Sequence, residues 1–379
     1  MNSPQLLIAT GGILTFAFLG ATQALYGPLV PGLQQAFAVD TTAVGLVFTA
    51  HGFGALLGIL APGILRVPWL ATRWLGIATG LLLLGAAALS VAPTWPTMLA
   101  AAFVLALGFG VHVVRLNGLF VAGFGTRGMA MSQLINAAFS VGSILGPVAL
   151  GLSGAPSQRI FGAVAILALA LLPVSLATER GARLIRIDPL GPAHSTSGGK
   201  GSRALLAAFV ALMCLVCGLE NSISGWTTTL ALARGYSFPG AANLTALFFG
   251  AIFTGRLLAA GLGHRAQASL LVIAALGCIA CLLLIAAVTS AGPIAFALTG
   301  FAIAPIFSAT LVWVGAALPT TPHANASVIG GALLGSAIFP ALVGRVIGHF
   351  GPAAAPPAVL GLALASLAVA VWLYLARRD

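Results

Sequence analysis

The fold this sequence predicts is an all-α membrane protein, with twelve transmembrane helices arranged as two six-helix bundles. Three observations carry that reading. Charged residues make up 6% of the chain and hydrophobic ones 60%, with a mean hydropathy of +1.12, whereas soluble domains carry about 25% charged residues. Apolar runs of about twenty residues, the length a helix needs to cross a bilayer core, recur throughout. Six runs precede, and six follow, one long polar stretch. The runs contain Gly and Pro and lack the alternating strands of about ten residues that a β-barrel would show.

In order, the runs lie at 7–29, 42–64, 74–92, 96–118, 130–153 and 160–177, then at 205–231, 239–262, 268–289, 293–317, 326–348 and 354–376. The expected organisation is an N-terminal bundle at 1–177, a cytoplasmic linker at 178–204 and a C-terminal bundle at 205–379. The linker holds Glu179, Arg180, Arg183, Arg186, Asp188, Lys200 and Arg203. Its GGKGS resembles a phosphate loop, but Gly201 follows Lys200 and no strand precedes it, so a flexible connection is expected. The opening MNSPQ has no positive n-region, and the first run is read as a retained span.

Net charge is +11, from 16 Lys+Arg against 5 Asp+Glu, and the basic residues sit mostly between apolar runs. They act as topology signals, not as a nucleic-acid surface. With both termini in the cytoplasm, Arg66, Arg73, Arg127, the five linker cations, Arg265, Arg377 and Arg378 face inward, and only Arg159 and Arg234 face outward. Arg115, Arg256 and Arg345 lie within or at the edge of spans. A multi-pass membrane protein with both termini cytoplasmic is therefore expected. The cysteines form two C-x-x-C pairs, Cys214/Cys217 and Cys278/Cys281, inside apolar runs. They read as packing residues, and neither a metal nor a cofactor is expected.

Glu220, in CLVCGLENSISGWTTT, is the one carboxylate these boundaries place inside a span. An acid at mid-bilayer costs about 2.5–3.5 kcal/mol on insertion scales, so it faces partner helices or a water-filled cavity. The functional reading is a proton-binding site; the alternative is a structural salt bridge. Arg115 is either its counter-charge, a ligand for an anionic group on a solute, or a side chain snorkelling to the interface. It lies about eight residues below the middle of its span, roughly 12 Å at 1.5 Å per residue, which makes a direct pair with Glu220 a long reach. His112 and His51 suit either proton relay or packing. Asn117, Gln133, Asn136 and Asn221 can hydrogen-bond a polar solute or neighbouring helices. Gln23 and Tyr26 add polar groups to the first span. Trp226 and Trp313 suit either stacking on a solute or anchoring at the interface.

The two halves echo each other. Gly142-Ser143-x3-Pro147-x3-Gly151 matches Gly335-Ser336-x3-Pro340-x3-Gly344 at an offset of 193, and Gly108-Phe109-Gly110 resembles Gly300-Phe301-Ala302 at 192. Such parallel repeats build many transporters.

Five segments carry a family resemblance over nearly the whole chain: YGPLVPGLQQAF (26–37), LGFGVHVVRLNGLF (107–120), QLINAAFSVGSILGPVALG (133–151), GLENSISGW (218–226) and FFGAIFTGRLLAAGLGHR (248–265). The chain resembles major facilitator superfamily transporters, in particular the bacterial branch with fucose-permease-like proteins. The resemblance implies two bundles working by alternating access, with helices 1, 4, 7 and 10 facing a cavity and 3, 6, 9 and 12 outside. By the boundaries above, the outside spans have no ionisable residue in their interiors. It also implies gating loops, here at Arg66 and Arg73 and at Arg256 and Arg265. The family's acid in the first of these loops is missing from GILRVPWLATR (63–73).

The expected activity is secondary active transport of a small polar solute, sugar-like or an organic anion. It would proceed by alternating access with protons as the coupling ion, in a monomer whose partners are solute, protons and the lipid bilayer. Drug or metabolite efflux by antiport is the alternative, and a receptor or scaffold on the same fold the alternative from another class. No Ser-His-Asp set, metal cluster or nucleotide motif points to an enzyme.

Overall fold

Proline and glycine decide where the helices run on and where they break. The computed structural model describes residues 3–65, 72–185, 200–262, 267–319, 321 and 324–376. The first span is α1 (Ser3–Ala24) followed directly by α2 (Tyr26–Phe37). Pro28 has no N–H to give the carbonyl of Ala24, and the helix restarts one residue later, extending well past the expected end at 29. The second span pairs a short α3 (Thr41–Val44) with α4 (Leu46–Ile64), and Asp40 caps α3 by accepting the Ala43 N–H at 2.7 Å. Then come α5 (Trp74–Val91), α6 (Trp95–Gly123), α7 (Gly128–Ser153), α8 (Ser157–Ile185), α9 (Lys200–Ala233), α10 (Phe238–Leu262) and α11 (Ala268–Val288). The tenth span splits into α12 (Gly292–Ile303) and α13 (Ile306–Ala317) at Pro305, and α14 (Ala324–Phe350) and α15 (Ala355–Leu375) complete the chain.

Among the described residues, twelve stretches are long and apolar enough to cross a membrane. Their outward faces carry Leu152, Val91, Ile166, Val288 and Val312, all largely exposed, as lipid contact requires. Among the described residues there is no strand. Two sequence boundaries need correction. The sixth helix runs on to Ile185, and the seventh begins at Lys200, so residues at both ends of the expected linker are helical. TERGAR contains good helix formers despite its polarity, and Glu179 and Arg183 stand at the i, i+4 spacing that supports a helix.

The helices sort into two compact units. One takes α1, α2, α4 from Ala50 onward and α5 to α8; the other takes Asp40–Thr49 and α9 to α15. In the first, α1 packs along α7, with Gly142 set against the carbonyl of Ala17. In the second, α9 packs along α14, with Gly335 set against the carbonyl of Cys214. The two repeat motifs thus do the same work, because only a residue without Cβ lets the backbones come this close.

Pro340 removes an amide from α14, and the surrounding carbonyls accept bonds from outside the helix. Thr49 Oγ1 donates to Ala337 O at 2.8 Å and Trp226 Nε1 to Pro340 O at 2.9 Å. Trp226 is fully buried, against Phe48 and Gly344. Trp226→Phe is expected to destabilise the second unit by about 1–3 kcal/mol, because it removes a buried donor; thermal unfolding in detergent measures the loss.

Candidate functional site

In the first unit, a glycine-rich stretch brings the fourth span close to its neighbours. Gly108 lies against the carbonyl of Ala78 in α5, and Gly110 against that of Ala55 in α4. This close approach places His112 and His51 among three helices. His51 Nδ1 and the Tyr26 hydroxyl are hydrogen-bonded at 3.2 Å, and the two rings meet edge-on at 4.9 Å. Phe109 packs on the other side of His51 at 5.2 Å, and Phe161 lies 6.4 Å from Tyr26. Tyr26 and His51, drawn from two separate spans, therefore form one buried aromatic cluster. Nε2 of His51 meets no hydrogen-bond partner among the described residues.

His112 belongs to a different network. Its Nδ1 lies 2.9 Å from Gly108 O and its Nε2 3.1 Å from Thr79 Oγ1, and Thr79 is in turn 2.7 Å from Ser175 Oγ. This chain joins α6, α5 and α8. Thr79→Val is expected to destabilise the protein by about 1–3 kcal/mol, since it strips a shared partner from two buried polar groups. Unfolding midpoints of the purified variant and of wild type give the difference.

The helix of the sixth span carries a buried acid just beyond its apolar run. Glu179, assigned from sequence to the linker, lies on α8 and is only 4% exposed. Its Oε1 accepts the backbone N–H of Leu75, in the first turn of α5, at 2.8 Å. The guanidinium groups of Arg183 and Arg115 both act electrostatically on this carboxylate. Arg183 also donates to Thr72 O at 2.7 Å. Arg73, Gly76, Ile77, Leu176, Glu179 and Arg183 line a cavity of about 370 Å³. Glu179 on α8 thus lines the same cavity as Arg73, whereas the sequence at 63–73 contains no acid. The signal that could have located it was the Glu179–Arg183 spacing.

The amides form local pairs. Asn117 donates to Val113 O at 2.9 Å and accepts from Ser132 Oγ at 3.1 Å, and Asn136 donates to Ser132 O at 2.8 Å. Gln133 is exposed and Gln23 half-buried.

In the second unit, Glu220 sits in the interior of α9 and remains partly accessible. The cation acting on it is Arg256 of α10, expected from sequence to be a gating residue. Asn221 Nδ2 donates to Ser336 Oγ on α14 at 3.0 Å, so one side of this polar segment is tied to the repeat motif. Trp313 is buried and meets Phe209 edge-on at 5.2 Å. Arg66 and Arg265 lie outside the described residues. No group of three potential metal ligands occurs among the described residues.

Among the described residues, twelve membrane-length helices in two compact units, with isolated charges inside the spans, define a polytopic helical membrane protein. The family model for the Major Facilitator Superfamily matches residues 12–297, and the chain belongs to that family. No curated protein matches it. Among solved structures, the nucleoside transporter NupG has 15% identity and a TM-score of 0.73, covering 98% of each chain. A D-xylose-proton symporter has 15% identity and a TM-score of 0.75, covering 97% of each chain. The transporter FucP, in an outward conformation, has 19% identity and a TM-score of 0.61, covering 98% of this chain and 99% of its own. At these identities the likeness is one of fold alone.

Proposed function

We propose that this protein is a proton-coupled secondary transporter that moves a small polar solute by alternating access. Glu220 is the coupling residue. The observation that carries this reading is a carboxylate inside a membrane span, partly accessible, with Arg256 as its charge neighbour. Such a group is retained against its insertion cost where it binds an ion or a solute. The repeat of α1–α7 packing in α9–α14 supports a rocking of two like units.

The solute is sugar-like or nucleoside-like, in keeping with the fold relatives named above and with the amide groups of Asn117, Asn136 and Asn221. The protein sits as a monomer in a bacterial inner membrane with both termini in the cytoplasm, the orientation that the basic residues favour.

The test is uptake by proteoliposomes of radiolabelled uridine, D-xylose and L-fucose under an imposed pH gradient, with and without a protonophore. Concentrative uptake of at least one solute that the protonophore abolishes is the expected result. Uptake that equilibrates without concentrating, and ignores the gradient, overturns the coupling.

A further inference from the structure

The first unit contains its own answer to the Glu220–Arg256 arrangement, in a pair of residues that the sequence placed in unrelated segments. Three of its helices meet in two polar rungs. The first is His112, Thr79 and Ser175. The second lies one turn along each helix, toward the start of α5. Arg115 is three residues beyond His112, Leu75 four before Thr79, and Glu179 four beyond Ser175. Those spacings put all three on the same faces as the residues of the first rung. The Leu75 amide holds the Glu179 carboxylate in place at 2.8 Å. Arg115 is 6% exposed and Glu179 4%, so both side chains are buried. Arg73 and Arg183, the other cations beside the carboxylate, are exposed and subject to screening by salt.

We propose that Glu179 is the internal counter-charge of Arg115, a positioning residue that ties this arginine to its own bundle and leaves it no net charge to offer an anionic solute. A buried arginine with a built-in carboxylate acts on a solute through directed hydrogen bonds, not as an anion receptor. The transported solute is accordingly uncharged. That last step rests on the transport reading above, whereas the pairing does not.

Glutamine at 179 separates charge from shape, because its side-chain oxygen can still accept the Leu75 N–H. Glu179→Gln is expected to lower the unfolding midpoint in detergent by roughly 5 °C or more. Adding Arg115→Gln to it should recover most of that loss, since the charge left behind is then removed as well. Glu179→Ala also loses the bond to α5, so its loss should be larger and Arg115→Gln should recover only the charge part of it.

If Glu179→Gln does not survive purification, recovery of a monodisperse size-exclusion peak by the double variant supports the pair. An equally aggregated double variant overturns it. Strictly additive losses, or a Glu179→Gln protein as stable as wild type, overturn it too.

The solute step has its own readout, titration with inorganic phosphate against sodium chloride of equal ionic strength. Wild type should gain no stability from phosphate, whereas Glu179→Gln should gain some and the double variant none. Phosphate stabilisation of wild type that disappears in Arg115→Gln would show an available anion site and overturn the selectivity, whether or not any transport is seen.

Discussion

With Glu220 replaced by glutamine, a solute that wild type concentrates is expected to reach an inside-to-outside ratio of about one, with the pH gradient and membrane potential intact. A proton moving through 100 mV carries about 2.3 kcal/mol, equivalent to about a 50-fold concentration ratio. All of that is lost once the carrier no longer takes up and releases the proton. Glutamine keeps the size of the side chain and much of its hydrogen bonding. Solute-for-solute exchange, which needs both units to reorient but no net proton movement, should therefore persist. Exchange and concentrative uptake measured on the same vesicles separate the two roles. A Glu220→Gln protein that still concentrates solute places the coupling elsewhere. A protein that loses exchange and concentration alike identifies Glu220 with solute binding or folding instead. Arg256→Gln is the companion variant: it leaves Glu220 without its charge neighbour and should disturb concentrative uptake before exchange.

The helical architecture was legible because the bilayer imposes it. Twenty apolar residues must hydrogen-bond internally, and nothing else in the sequence overrides that demand. Glu220 was legible for the same reason, as a costly residue in an unambiguous run. Glu179 was not. The apolar signal ends at 177, but helix formation depends on backbone bonding and continues to Ile185, where Glu179 finds a helix N-terminus to cap. Hydropathy measures how long a segment stays apolar, not where its helix stops. Trp226 shows a second limit. Its position toward a span end is compatible with interfacial anchoring, yet its indole is buried against α14 and donates to the Pro340 carbonyl, an acceptor that only the folded pair of helices brings within reach. Likewise the Tyr26–His51 bond joins two spans, and no spacing within either helix announces it.

Gly335→Ala tests the frame that holds Glu220 and Asn221, and it comes with a control five residues away. A methyl group at Gly335 would overlap the carbonyl oxygen of Cys214 on α9, which is backbone and cannot swing aside. Overpacking of this kind costs about 1–3 kcal/mol, more than the roughly 0.5–1 kcal/mol that alanine returns to a helix interior. At about 2–4 °C per kcal/mol for a unit of this size, the unfolding midpoint should fall by several degrees. Gly142→Ala should do the same, because its methyl meets the carbonyl of Ala17. Gly330, also on α14, has nothing near where its Cβ would stand. Gly330→Ala should therefore leave the midpoint unchanged or raise it. The consequence reaches function through Ser336, the next residue along α14, which receives the hydrogen bond from Asn221. Pushing the two helices apart at 335 lengthens that bond, so solute affinity should weaken together with stability. Equal midpoints for Gly335→Ala and Gly330→Ala would mean that the close approach of α9 and α14 is not what fixes this polar segment.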